Sequence, residues 1–170
     1  SRHADNIAPC LFGGITLVKS SEPMDIIPLS SPDLYVSAVH PQVEVKTSDA
    51  RQILKKNIQM KDAVKQWGNV AGLVAGILKN DNKLISRSLE DVLVEPVRSI
   101  LIPKFDEVKK QSLVLGALGG GISGSGPSIF MLSETKELAD KVAENMQKIY
   151  NEIGIENFVY VSKINDQGII

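Results

Sequence analysis

Apolar residues recur at steps of three and four positions through the middle of the chain, the spacing that lines them up on one face of a helix. The clearest such stripe comprises Met60, Ala63, Val64, Trp67, Val70, Ala71, Val74, Ile77 and Leu78. It predicts a helix of several turns. Within this helix Gly68, Gly72 and Gly76 fall every fourth residue, along one side, where they would let another backbone come close.

Helical spacing also occurs in shorter stretches whose ends carry capping or helix-breaking residues. These predicted helices cover residues 3–12, a segment that starts at Ser48, Leu84 to Val94, Pro103 to Lys110, and Glu134 to Tyr150. Gly13-Gly14 would close the first of them, and Glu95-Pro96 would interrupt the chain between the third and the fourth.

Short runs rich in β-branched residues and bounded by turn residues predict strands. They are Ile15 to Val18, Met24 to Pro28, Leu34 to Val39, Val114 to Leu118, Ser128 to Leu132 and Phe158 to Ser162. The first three are expected to form the antiparallel start of a sheet. The order strand, helices, strand, strand, helix, strand predicts the α/β (α+β) class, as a ferredoxin-like split βαβ sandwich with additional helices after its first strand.

Composition narrows the range of partners. The chain has 170 residues, 43% of them hydrophobic and 23% charged, which suits one ordinary globular domain or two small lobes. Its net charge of -1 leaves no excess of Lys and Arg to neutralise a nucleic-acid backbone. Glycines interrupt the apolar runs well before the roughly 20 residues that a membrane helix needs. We expect a soluble protein that binds neither nucleic acid nor membranes.

The cysteine content bears on the cellular compartment. Cys10 is the sole cysteine, which excludes an intrachain disulfide and a cysteine-based zinc site and favours a reducing cytosol. The first residues lack the basic start and apolar core of a signal peptide. A cytoplasmic location is therefore expected, and the residues themselves indicate no metal site.

The segment from Gly116 to Ser128 contains six glycines and is the most informative local feature of the sequence. One interpretation is a tight connection between two strands. The other is a loop that presents backbone amides to a ligand, with the hydroxyls of Ser123, Ser125 and Ser128 beside them to suit phosphate or carboxylate oxygens.

A dinucleotide-binding fingerprint is formally present in this segment through Gly119, Gly121 and Gly124. That fingerprint must open a helix, whereas the residues from Pro127 onward predict a strand. No Lys follows as a phosphate-binding P-loop would require. The dinucleotide-binding class is therefore rejected, and the segment departs from the P-loop pattern.

Other candidate side chains are polar and scattered. His3, Asp5 and Asn6 suit recognition of a hydroxyl or ammonium group, or equally an exposed turn or a helix cap. His40 precedes a proline at a strand end and is interpreted as structural.

Arg51 and Arg98 lie in different predicted elements, and each guanidinium can fork onto a carboxylate or phosphate or simply be solvated. Thr47 lies one helical turn before Arg51, where its hydroxyl can cap the helix or point at the same ligand.

Four segments together resemble a known family. His3-Ala-Asp-Asn6, followed by an Ala-Pro and a Gly-Gly pair, resembles the His-x-Asp-Asn-x-Ala-Pro segment of homoserine kinases. The later motifs of that family are matched in the same order by Thr47-Ser-Asp-Ala-Arg51, by Glu95-Pro-Val-Arg98 with Leu101-Ile-Pro103, and by the glycine-rich segment. The last is similar to the third conserved motif of the GHMP kinases, named for galactokinase, homoserine kinase, mevalonate kinase and phosphomevalonate kinase. The resemblance covers nearly the whole chain.

The resemblance implies a reaction and a set of site residues. The reaction is ATP- and Mg²⁺-dependent phosphorylation of the L-homoserine hydroxyl to O-phospho-L-homoserine, on the route to threonine. It implies that His3 and Asn6 contact homoserine, that Arg51 and Arg98 hold its carboxylate, and that Thr47 is catalytic, near the transferred phosphoryl group. The residues implied to support the nucleotide phosphates are Gly121, Ser123, Gly124, Ser125 and Gly126.

One family motif has no match. The ATP loop, Pro-x-x-x-Gly-Leu-Gly-Ser-Ser-Ala, normally precedes the His-x-Asp-Asn segment and does not occur in this sequence. The resemblance therefore implies that residues 1–30 are a remnant of the N-terminal kinase domain and residues 31–170 the GHMP kinase C-terminal domain. ATP and Mg²⁺ would need that N-terminal domain as a partner, and this chain alone is expected to be inactive. A homodimer is a further expectation.

Two alternatives stay open at the level of sequence. One is another GHMP kinase that acts on a different small alcohol, for which the two arginines would have no carboxylate to share. The other is a non-catalytic ferredoxin-like module that binds an amino acid or mediates assembly.

Overall fold

The computed structural model describes residues 4–169, which form alternating helices and strands. In chain order these are α1 (Ala4–Phe12), β1 (Ile15–Ser21), β2 (Met24–Leu29), β3 (Tyr35–Pro41), α2 (Thr47–Gln52), α3 (Met60–Lys79), α4 (Asn82–Ser88), α5 (Glu95–Arg98) with the 3-10 turn Ser99–Leu101, α6 (Phe105–Leu115), β4 (Gly119–Ile122), β5 (Ile129–Ser133), α7 (Lys136–Glu152) and β6 (Asn157–Lys163). None of the helices in this range is both long enough and apolar enough to cross a membrane.

The main sheet has four strands in the order β4-β5-β3-β6, and each neighbouring pair is antiparallel. This order is that of a split βαβ sandwich, so the predicted ferredoxin-like architecture with inserted helices is confirmed. The expectation that the first three strands share a sheet is wrong for the third. Among residues 4–169, strands β1 and β2 pair only with each other, while β3 lies in the middle of the main sheet.

Alternation along the strands divides the core between the two faces of the main sheet. Ile129 and Met131 of β5 point to the face that α6 and α7 cover, where they join a buried cluster with Val142 and Tyr150. Leu132 belongs instead to a second cluster on the other face. That cluster combines Leu34 with Ile77 of α3 and Ile85 of α4.

Two predictions concern helix α3: the close approach at its glycines and its apolar stripe. The predicted close approach of another backbone occurs at Gly76, where an added Cβ would lie 2.9 Å from the backbone nitrogen of Ile85 in α4. At Gly68 an added Cβ would meet nothing within 4 Å. The apolar stripe, however, is not fully buried. Ile77 is buried, whereas Met60 and Trp67 are 70% and 63% exposed.

Two predicted elements have different bounds. The helix predicted to reach Val94 ends at Ser88, because the residues beyond it enter a turn that the carboxylate of Asp91 organises. The strand predicted from Val114 to Leu118 is wrong. Helix α6 extends through Leu115 and is ended by Gly116, whose left-handed φ of +108° closes it with hydrogen bonds to the carbonyls of Ser112 and Leu113.

Candidate functional site

The glycine-rich segment serves as both strand and turn. Its first part is β4, and residues 123–128 connect β4 to β5. The amide of Ser123 donates to the carbonyl of Ser128 at 2.9 Å, and the amide of Gly126 donates to the carbonyl of Ser123 at 3.0 Å. The strand-to-strand interpretation therefore describes its backbone, and ligand binding by the same turn stays a prediction.

In the glycine turn, defined as residues 123–128, two backbone N–H groups at the tip are unpaired among the described residues. Within the part of the chain that the structure describes, the amides of Gly124 and Ser125 donate no hydrogen bond. Gly124 has a left-handed φ of +61°, and a Cβ built on it would meet nothing within 4 Å. Consecutive amides in such an open turn can bind an anion.

Arg98 links this turn to helix α2. Its Nε donates to the carbonyl of Ala50 at 3.0 Å, and its Nη1 donates to the carbonyl of Gly124 at 3.0 Å. A guanidinium has five N–H donors in a rigid plane, so these two bonds fix the plane and leave other donors for a ligand.

The two arginines therefore occupy one corner of the molecule, although they differ in their contacts. Arg51 follows Ala50 directly in α2, and Ala50 is the residue that accepts from Arg98. Arg51 is exposed, and its side chain forms no hydrogen bond or ion pair among the residues that the structure describes. One arginine is anchored, and its neighbour is free to move onto a ligand.

The remaining predicted site residues are less completely placed. Thr47 is the first residue of α2, in the same short helix as Arg51. Asn6 is exposed on α1, and no hydrogen bond joins it to Arg51, Arg98 or the glycine turn among the described residues. His3 lies outside the described residues.

A cavity of about 280 Å³ lies beside Arg98. Gly121 and Gly124 line it from the glycine-rich segment, and Glu95 lines it from α5. Its apolar wall includes Phe130. Two of the glycines predicted to bind cofactor thus share a cavity with an arginine predicted to bind substrate.

Sequence reasoning did not identify Glu95, whose carboxylate is mostly buried near this cavity. The ammonium of Lys109 in α6 contacts it, and only 14% of the Glu95 side chain is exposed. Burial raises the pKa of Glu95 above its ordinary value, and Lys109 opposes that rise. The sequence signal was the Glu-Pro pair before Arg98, which marks a helix start but does not identify the lysine partner.

His40 also contacts the glycine turn. Its Nδ1 lies 2.7 Å from the Oγ of Ser128, at the end of the turn where β5 begins. His40 is on β3, the neighbour of β5 in the sheet. The contact ties the turn to the sheet, and which atom donates depends on the tautomer of the imidazole.

Among the described residues there is no group of three or more His, Cys, Asp or Glu side chains that could hold a metal ion.

Comparison with known proteins gives consistent matches. Residues 73–152 match the family described as GHMP kinases C terminal. The homoserine kinase of Chloroherpeton thalassium is 49% identical over 99% of this chain and 53% of its own length. That of Thermococcus gammatolerans is 38% identical over 96% of this chain and 54% of its own length. The chain thus spans about half the length of the curated relatives it matches.

Solved structures agree with this result. The crystal structure of homoserine kinase from Cytophaga hutchinsonii superposes with a TM-score of 0.97 at 57% identity, over 99% of this chain and 54% of that one. A phosphomevalonate kinase of Streptococcus pneumoniae superposes with a TM-score of 0.63 at 19% identity, over 83% of this chain and 43% of that one, which is a likeness of fold alone.

The sandwich with its glycine turn is the C-terminal fold of the GHMP kinases, and the chain belongs to that family. Within the family it corresponds to the C-terminal region of the homoserine kinases.

Proposed function

We propose that the protein containing this chain transfers a phosphoryl group from ATP to the side-chain hydroxyl of L-homoserine, giving O-phospho-L-homoserine on the route to threonine. The similarity to homoserine kinases supports the class of reaction. The choice of substrate rests on the arginine pair. Arg98 is anchored by two hydrogen bonds, Arg51 is free of such bonds among the described residues, and both lie near the glycine turn with its open amides.

An amino acid suits this corner because it brings a carboxylate. Arg98 is fixed by its bonds to Ala50 and Gly124, so its remaining N–H groups keep a constant direction and lose little freedom on binding. Arg51 is exposed and can close onto the second carboxylate oxygen. We assign these two residues to the substrate carboxylate.

The other assigned roles concern the hydroxyl end of the substrate. His3 and Asn6 would contact homoserine. Thr47, at the start of α2, would lie near the transferred phosphoryl group and is the proposed catalytic residue. Phosphoryl transfer depends mainly on positioning and on stabilising charge, which polar side chains and arginines can do without forming a covalent intermediate.

ATP use is a property of the GHMP kinase family. The residues proposed to hold its phosphates are Ser123, Gly124, Ser125 and Gly126, with Gly121 behind them on β4. The turn fits phosphate because the amides of Gly124 and Ser125 are open and no side chain crowds Gly124. When bound, ATP with its accompanying Mg²⁺ supplies the phosphoryl group. Fixed amides of this kind offset negative charge without reorganising during the reaction.

The proposal extends to the rest of the protein. We assign residues 1–30 to the N-terminal kinase domain and residues 31–170 to the C-terminal domain, with a cytosolic location and a homodimer as further expectations. The 170-residue chain on its own is expected to be inactive, since the ATP loop of the family does not occur in its sequence.

A chimera tests the proposal directly. The part of the Cytophaga hutchinsonii homoserine kinase that this chain does not match would be joined to this chain, and ADP release would be measured with homoserine, mevalonate and galactose. Homoserine-dependent turnover is expected, with the chain alone as an inactive control. Turnover with another alcohol would transfer the proposal to a different GHMP kinase activity. A folded chimera that turns over none of them would favour the non-catalytic amino-acid-binding or assembly module.

A further inference from the structure

Helix α5 is too short to hold its own position. It consists of four residues, Glu95–Arg98, with Glu95 at its start and Arg98 at its end. A single helical turn is not stable by its own hydrogen bonds, because fixing the backbone costs more than one turn returns. The direction of Arg98 must therefore be set by contacts from neighbouring elements.

The entry to α5 is held by Asp91. Its Oδ1 accepts from the amides of Leu93 at 2.8 Å and Val94 at 2.9 Å, and its Oδ2 accepts from the amide of Glu95 at 3.2 Å. These bonds set the local turn, but they do not connect α5 to the rest of the fold.

At the start of α5, the side chain of Glu95 connects the helix to the rest of the fold, whereas Arg98 bonds at its end. The Oε1 of Glu95 contacts the ammonium of Lys109, and the two side chains are only 14% and 18% exposed. Lys109 follows Val108, which is fully buried in the core, so the backbone of α6 at this point is packed against the core. The Oε2 of Glu95 lies over Gly121, where an added Cβ would overlap it. The carboxylate thus sits between α6 and β4.

We propose that the Glu95–Lys109 ion pair positions Arg98. By holding the first residue of α5 against α6 and β4, the pair fixes where the guanidinium of Arg98 meets the carbonyls of Ala50 and Gly124. Lys109 is a positioning residue that acts through Arg98. The consequence for substrate binding rests on the proposed function, whereas the link between Lys109 and Arg98 does not.

If the Glu95–Lys109 pair only stabilised the fold, its variants would behave differently from those expected for a positioning role. Removing Lys109 alone leaves a mostly buried carboxylate without its partner, which destabilises the fold whatever the pair does for Arg98. Replacing both partners by neutral side chains removes that unpaired charge. The double variant Glu95→Gln/Lys109→Met therefore separates stability from positioning.

The first measurement is hydrogen exchange of the Arg98 Nε–H, followed by NMR in this chain. Its protection reports the bond to Ala50. We expect exchange to become about tenfold faster in Lys109→Met and in the double variant, while thermal stability recovers in the double variant. Lys136→Met is the matched control, since it removes a lysine from an exposed ion pair with Asp140, 62% and 42% exposed. Unchanged Arg98 protection in a folded double variant overturns the proposal.

The second measurement is kinetic and uses the chimera. Lys109→Met and the double variant should each raise the KM for homoserine about tenfold and leave the KM for ATP within about twofold. A KM for homoserine that recovers together with thermal stability in the double variant would reduce the pair to a stabilising role and overturn the proposal. If the parent chimera does not phosphorylate homoserine, the proposed function fails, and the exchange measurement alone decides whether Lys109 positions Arg98.

Discussion

The two arginines of the candidate site carry the same charge but differ in their hydrogen bonds to the rest of the fold. Arg98 bonds to backbone carbonyls 48 and 26 residues away, so it is part of the fold as well as a candidate ligand for substrate. Arg51 is exposed and makes no such bond among the described residues. Substitutions at the two positions should therefore have distinguishable effects.

Arg51→Ala should affect substrate binding without affecting stability. Losing one charged hydrogen-bond donor to a carboxylate costs about 1.5–3 kcal/mol, or roughly a ten- to hundredfold rise in the KM for homoserine. The melting temperature should stay unchanged, because the side chain of Arg51 is exposed and makes no hydrogen bond or ion pair among the described residues. Steady-state kinetics of the chimera with a thermal melt of each variant checks this. Arg87→Ala, an exposed arginine on α4, is the control. A KM for homoserine that does not change removes Arg51 from the site.

Arg98→Ala should affect both substrate binding and thermal stability. The KM for homoserine should rise about a hundredfold and the KM for ATP much less, because the proposed partner of Arg98 is the substrate carboxylate. The melting temperature should fall, since the carbonyls of Ala50 and Gly124 lose their donors. Equal weakening of homoserine and ATP binding in the same assay would argue against the carboxylate role.

At the level of elements, local patterns predicted most helices and strands, and long-range contacts decided the rest. The apolar stripe of α3 and the turn residues after α1 were sufficient to predict these two helices, because helix formation depends on near neighbours. The end of α4 was not predictable, since it depends on Asp91 accepting three backbone amides in a turn. Likewise, the Glu95–Lys109 contact joins two helices, and no spacing rule identifies it.

The glycines of the β4–β5 hairpin should differ in their tolerance of substitution. A Cβ at Gly120 would overlap the carbonyl of Phe130 on the paired strand, whereas a Cβ at Gly124 has open space and costs only the strain of a left-handed φ. We expect Gly120→Ala to destabilise by more than about 2 kcal/mol and Gly124→Ala by about 1 kcal/mol. Denaturant unfolding of both variants measures the difference. Equal losses would mean that the hairpin relaxes around Gly120.

For the whole molecule, the order of predicted strands and helices was enough to give the sandwich topology, because few arrangements satisfy that order with one apolar core. The same order did not reveal that β1 and β2 form a separate sheet. Nor did it reveal how the site is assembled. The site corner combines α2, α5 and the β4–β5 turn, whose residues are far apart in sequence and are brought together by the sheet and by Arg98.

The stability of the whole chain should depend on pH through Glu95. Burial raises the pKa of this carboxyl above its ordinary value of 4.5, Asp91 and Asp106 raise it further, and Lys109 lowers it. A carboxyl with a raised pKa in the folded state binds its proton more tightly there than in the unfolded chain. Its stabilising contribution is therefore fully present below the unfolded pKa and is lost as the pH rises through the folded pKa.

Glu95→Gln removes this titration, so comparison with the parent chain isolates it. The free energy of unfolding of the parent, relative to Glu95→Gln, should decrease as the pH rises from about 4 and should level off above the raised pKa of Glu95. Urea unfolding across this range measures the difference. Glu107→Gln is the control for the same chemical change in a carboxyl that pairs with Lys104 on the surface of α6. A difference that increases with pH would show that Lys109 outweighs burial and lowers the pKa of Glu95 in the folded chain. A difference that stays constant would show that burial and Lys109 cancel and leave this pKa unshifted. Either result contradicts the prediction.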